Sequence, residues 1–175
     1  IDDVSVWYLR RSRERLKGDE VTDKTLALGT RRFVLRELAN IMAPTMPFYA
    51  EYLWLAVREE SEAESVHLAA WPEGGEVDAS LLESMATTRV IVTQALEART
   101  KAGIKVRQPL SKLKIKVKIA SELAQLIKDE LNVKEVLFDS TIKNDVELDI
   151  IISPELKIEG DYREFLRSIQ ELRKK

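Results

Sequence analysis

The residues of this chain whose types and spacing could do chemistry are cations set beside a ring and an amide. Trp7, Arg10, Arg11, Arg13 and Arg15 crowd together near the start, and Lys101, Lys105, Arg107 and Gln108 crowd together further on. A guanidinium grips phosphate through two parallel N–H bonds and stacks on flat rings. Unpaired RNA bases are read by such stacking and by hydrogen bonds to their edges. The same composition suits an acidic protein partner almost as well.

Other chemistries lack their parts. The chain has no cysteine, which excludes disulfides, thiolate metal sites and a cysteine nucleophile. A lone His67 argues against a histidine metal cluster and a Ser-His relay. The six glycines are single apart from Gly74-Gly75, so there is no phosphate-cradling loop. Neighbouring acids such as Asp2-Asp3 and Glu59-Glu60 diverge on a helix and read as solubilising or helix-end charge. His67 reads as a packed or hydrogen-bonded loop residue and Trp71-Pro72 as a loop anchor. No metal-ligand spacing and no catalytic constellation is present.

Charge is uneven along the 175 residues, whose net charge is −2. Residues 1–37 carry net +2, residues 38–90 net −7, residues 91–119 net +7 and residues 120–175 net −4. A polyanion answers to the local field and not to the total. No run approaches the length of an apolar membrane span, and Ile1-Asp2-Asp3 is no basic signal-peptide start. A soluble, cytoplasmic, globular chain is expected.

The elements that must position these residues are legible. Asp2 or Asp3 caps a first helix to about Lys17, stopped by Gly18. Ile1, Ser5, Leu9, Ser12 and Leu16 share its packed stripe. Thr22 or Asp23 caps a second helix through Met42, with Leu26, Phe33, Leu38 and Ile41 apolar and Arg31, Arg32 and Arg36 basic. Pro44 and Pro47 bracket a break before a third helix, about Phe48 to Glu59. Residues 60–77 form an acidic connection, and Asp78 caps a fourth helix to about Ala102, ended by Gly103. Arg89 and Arg99 fall on its apolar stripe, where a long cation either snorkels or meets a specific acceptor. From Leu113 to Ile119 the pattern alternates, with Lys112, Lys114, Lys116 and Lys118 on the other face, as in a half-buried strand. A helix over Ser121–Leu131, strands at Lys134–Phe138 and Val146–Ile152, and a last helix capped by Asp161 follow, with Tyr162, Phe165, Leu166, Ile169 and Leu172 inward. The fold class is mainly α: an antiparallel helical bundle over 1–104, then a small α+β domain over 105–175.

Six strings carry a resemblance. They are D-D-V-S-V-W-Y-L-R-R-S-R-E-R at Asp2–Arg15, A-P-T-M-P-F-Y-A-E-Y-L-W at Ala43–Trp54 and S-V-H-L-A-A-W-P at Ser65–Pro72. K-A-G-I-K-V-R-Q-P-L at Lys101–Leu110, E-L-N-V-K-E-V at Glu130–Val136 and E-G-D-Y-R-E-F-L-R-S-I-Q-E-L-R-K at Glu159–Lys174 complete the set. In this order they resemble the C-terminal anticodon-binding segment of isoleucyl-tRNA synthetases. Val6 and Leu16-Lys17 depart from that family's usual residues. The resemblance implies an excised segment of a longer isoleucine–tRNA ligase, without catalytic site, metal or cofactor of its own, ATP and Mg being used by the absent catalytic half. It implies the anticodon arm of the isoleucine tRNA and the parent's catalytic domain as partners, and neither DNA nor membrane. Trp7, Arg10, Arg11, Arg13 and Arg15 would face the anticodon stem and loop, and Lys101, Lys105, Arg107 and Gln108 a second contact zone. The same module of a valyl- or leucyl-tRNA synthetase, and a protein-interaction scaffold with basic docking surfaces, are the alternative readings.

Overall fold

The computed structural model describes residues 3–173. Ile1, the candidate cap Asp2 and the end of the last string at Lys174 lie outside the described residues. The chain divides into two compact units, one up to Glu76 and one from Val77. The boundary expected at 104/105 differs because the fourth helix packs on the α+β elements that follow it. The fold class is mainly α with a small sheet, as the sequence indicates.

In the first unit a π-helical stretch, Asp3–Leu9, leads into α1, Arg13–Lys17. One continuous α-helix was the expectation. The Ser12 hydroxyl donates to the Tyr8 carbonyl at 2.7 Å, beside its own N–H at 2.9 Å. Such side-chain competition for a helix carbonyl loosens and bends the turn. Gly18 then ends α1 with its N–H on Glu14 at 2.8 Å.

Helix α2, Val21–Met42, and α3, Pro47–Val57, form the body of this unit. Pro47 opens α3, where a missing N–H costs nothing. Ala39 and Ala50 are fully buried, and their small size lets the two helices approach; Trp54 and Val66 complete the core. The acidic connection is tied to α3 by three bonds. Glu51 accepts from the Ser65 hydroxyl and from Val66 N–H, each at 2.9 Å, and the Trp54 indole donates to the Ala63 carbonyl at 2.9 Å. Trp71, expected as the anchor, is 63% exposed.

In the second unit, Asp78 caps α4, Ala79–Lys101, by accepting from Leu81 N–H at 2.9 Å. Gly103, at φ +68°, ends it in the left-handed region that a side chain disfavours. Strand β1, Leu110–Ile115, runs parallel to β2, Val133–Phe138, through the crossover helix α5, Ser121–Leu131. It runs antiparallel to β3, Val146–Leu148, in the order β2-β1-β3. β1 and β3 both stop earlier than their alternating patterns suggest. Leu113 and Ile115 are buried, while Lys112 lies 3.9 Å from Glu135 and Lys114 3.0 Å from Asp139. A central strand needs no edge protection, so the lysines make a solvated, ion-paired face.

The last helix, α6, spans Pro154–Leu172 and starts seven residues before the expected cap at Asp161. Ser153 caps it, accepting from Leu156 N–H at 3.4 Å, and Pro154 is preset for the first turn. Its apolar side chains are not inward: Tyr162, Phe165 and Leu172 are all exposed by 60% or more, and Leu166 and Ile169 also face solvent. The helix is held instead by polar contacts. Glu159 binds Lys134 at 2.6 Å, and the buried Gly160 lies under Gln108.

Candidate nucleic-acid interface

The nine candidate residues fall into two sets, one in each unit. In the first set Trp7 is half-buried in the π-helical stretch, and Arg11, four residues on, is half-buried as well. Arg10 and Arg13 are exposed, and Arg10 Nε donates to the Val6 carbonyl at 2.9 Å. Arg15 is committed elsewhere. Its Nε and Nη2 grip the Asp23 carboxylate at 2.9 and 2.6 Å, tying α1 to the first turn of α2. That bond holds Arg15 above the usual arginine value and Asp23 below the usual carboxylate value.

The basic positions of α2 are largely neutralised. Arg36 binds Glu62 at 2.8 Å and Glu37 at 2.9 Å. Arg32 pairs with Glu59 and donates to the Val57 carbonyl at 2.6 Å. The acidic connection therefore folds back on its own arginines. Glu62 is held below the usual glutamate range, first by Glu59 N–H and then by Arg36.

In the second set Lys101 is the exposed last residue of α4. Lys105 and Arg107 are exposed on the following loop and share one acid: Lys105 Nζ is 3.9 Å and Arg107 Nη1 3.1 Å from the Glu164 carboxylate on α6. Gln108 is spent inside the fold. Its amide donates to the Leu156 carbonyl at 2.6 Å and the Pro109 carbonyl at 3.1 Å. A Cβ at Gly160 would stand 2.2 Å from its Oε1, so glycine there makes room for this clip.

Two residues that sequence reading did not single out for this loop set its shape. Arg99 is 1% exposed, and among the described residues its hydrogen-bond acceptors are main-chain carbonyls and not carboxylates. Nη1 donates to the Lys105 and Gln108 carbonyls at 3.1 and 3.0 Å, and Nη2 to the Leu131 and Asn132 carbonyls at 2.6 and 3.2 Å. Burial lowers this guanidinium to about 10. Of the two outcomes open to a cation on an apolar stripe, the specific acceptor is the one realised, and it is main chain. Asn132 caps α5 in the left-handed region at φ 51°. Its amide donates to the Val106 and Arg107 carbonyls, both at 3.0 Å, and its oxygen accepts from Arg163 at 2.7 Å. An asparagine directly after an apolar helix was the only signal for this role.

The loop backbone is thus braced from within, which leaves Lys101, Lys105 and Arg107 as its outward cations. Such an arrangement can neutralise phosphates without the loop having to order first. Among the described residues no cluster of acids and histidine could hold a metal ion, and no helix is long and apolar enough to cross a membrane.

A family model described as the anticodon-binding domain of tRNA ligase matches residues 1–117. The isoleucine–tRNA ligase of Clostridium acetobutylicum is 38% identical over 167 residues, covering 91% of this chain and 16% of that protein. That of Thermobifida fusca is 35% identical with the same coverage, and that of Thermus thermophilus is 40% identical over 78% of this chain and 14% of its own. The chain therefore spans only 14–16% of the length of these relatives.

Proposed function

The chain belongs to the anticodon-binding domain family of tRNA ligases, and from that premise we propose that it holds the anticodon arm of an isoleucine tRNA for a longer isoleucine–tRNA ligase. The observation that carries this reading is a family match across both basic zones, with relatives of that name aligned over most of the chain. ATP and Mg act in the catalytic part of the longer ligase, which works in the cytoplasm. Aminoacylation needs the tRNA held in register at a distance from the reacting ends, and binding energy spent on the anticodon arm does that.

The residues divide by exposure. Arg10, Arg13, Lys101, Lys105 and Arg107 are exposed and face solvent where phosphate can approach, Lys105 and Arg107 from beside Glu164. Trp7 and Arg11 are half-buried and suit a stacking edge. Arg15 and Gln108 act through the fold: one orients α1, the other seats the loop on α6.

Filter binding of the isolated chain to isoleucine tRNA tests the reading. Affinity is expected to be weak and to fall steeply with salt, with a log–log slope of about −0.7 to −0.9 for each phosphate neutralised. A flat salt dependence refutes it. Equal binding of valine tRNA would leave the anticodon role in place and remove the isoleucine assignment.

A further inference from the structure

We propose that the turn Lys105–Gln108 binds an RNA phosphate through two main-chain N–H groups, those of Val106 and Arg107. The inference rests on the anticodon-arm reading and deepens it. It adds a backbone contact, centred on an uncharged residue, to the side-chain cations of the same loop.

The turn closes with the Gln108 N–H on the Lys105 carbonyl at 3.0 Å. Among the described residues other than glycine, Asn132 alone has positive φ, so Val106 and Arg107 both have negative φ. That makes a type I turn, since type II needs positive φ at its third residue. All four carbonyls of the turn are taken by side chains of the fold. Lys105 and Gln108 accept from Arg99 at 3.1 and 3.0 Å, and Val106 and Arg107 accept from Asn132, both at 3.0 Å. The peptide bonds are trans. In a trans peptide the N–H points opposite to the carbonyl of the preceding residue. The Val106 N–H therefore points away from Arg99, and the Arg107 N–H points away from Asn132. Neither donates to an acceptor among the described residues. Val106 is 44% exposed, and Arg107 is exposed beside it.

This arrangement suits an anion. Successive N–H groups fixed in one turn make a concavity of partial positive charge. Lys105 and Arg107 add full charges to the same turn. Glu164 engages those two side chains at 3.9 and 3.1 Å and leaves both N–H groups unbonded. The two unesterified oxygens of a phosphodiester match the two donors. Such a bond is charge-assisted, and it fixes the register of the RNA without reading its sequence. Because Arg99 and Asn132 already hold the turn, no ordering of the loop opposes the contact.

Val106→Pro tests the contact. It deletes one of the two donors, changes no charge and suits the second position of a type I turn. Filter binding of isoleucine tRNA is expected to weaken about tenfold, with the salt slope unchanged. Val106→Ala keeps the N–H and should bind as the parent does. A second measurement uses the parent chain alone. An RNA hairpin carrying the isoleucine anticodon stem and loop should move the Val106 and Arg107 amide proton signals downfield in NMR titration, and an all-glutamate peptide should not. A flat salt dependence of the parent refutes the anticodon-arm reading and this inference with it. Where the parent shows a steep dependence, this inference alone is overturned if Val106→Pro binds as tightly as the parent, or if Val106→Ala weakens binding as much as Val106→Pro. It is equally overturned if the two amide signals stay in place with the hairpin, or if the glutamate peptide moves them as far.

Discussion

Replacing Arg99 by Met removes a side chain that ties the end of α4 to the loop and to the α5–β2 junction. The magnitude follows from its partners. Four main-chain carbonyls lose a charged donor, at 3.1, 3.0, 2.6 and 3.2 Å. Hydrogen bonds to a charged group contribute about 1.5–3 kcal/mol each. Part of that is offset because the parent holds a cation away from water with no carboxylate among its acceptors, which is why its guanidinium falls to about 10. Water entering the vacated space recovers some of the rest. The net loss for the second unit is expected to be about 2–4 kcal/mol, on the order of leaving one or two buried carbonyls without a donor. The assay can resolve the two units, because Trp7, Trp54 and Trp71 all precede Val77. Urea unfolding followed by tryptophan fluorescence reports the first unit, and amide exchange at Leu110–Ile115 and Val133–Phe138 reports the second. Exchange protection should collapse at the strands while the fluorescence midpoint moves little. Arg99→Lys should restore less than half of the loss, since one ammonium cannot span acceptors that a planar fork reaches from two nitrogens. A loss below about 1 kcal/mol for the Met variant would refute the reasoning, because the carbonyls would then be satisfied without the cation.

Glu164→Gln removes the acid shared by Lys105 and Arg107, so isoleucine tRNA should bind about threefold tighter, with a steeper salt slope in filter binding. Asp139 titrates at about 2 because the Thr141 hydroxyl and N–H, and then Lys114, hold its charged form. Its folded value is depressed below the ordinary 3.8, so its contribution to stability is complete above that value and disappears as pH falls through about 2. Thr141→Val should raise the Asp139 value measured by NMR titration, and no rise would overturn the assignment of cause. Gly160→Ala should destabilise the parent despite the better helix propensity of alanine, because its Cβ collides with Gln108. In a Gln108→Ala background the same change should stabilise by up to about 1 kcal/mol in thermal melts, and additive effects would show that the two do not meet.

Much of this chain was determined by sequence alone. Asp78, Gly18, Gly103 and Pro47 mark helix ends because caps, left-handed turns and a missing N–H act within a few residues. Alternation from Leu113 marks β1 for the same reason: the two faces of a strand are set locally. The order of six strings indicated the family that the comparisons then showed. The fates of the charged and amphipathic residues were not local. Whether Arg99 met a carboxylate or a row of carbonyls depended on where residues 105–108 and 131–132 returned in space. Arg15, Arg32, Arg36 and Gln108 lost their freedom to acids and carbonyls 8 to 48 positions away. The same holds for α6, whose amphipathic spacing indicates a buried face that the described residues leave exposed. Periodicity shows that a face is suited to burial, but only tertiary packing decides whether a surface lies against it.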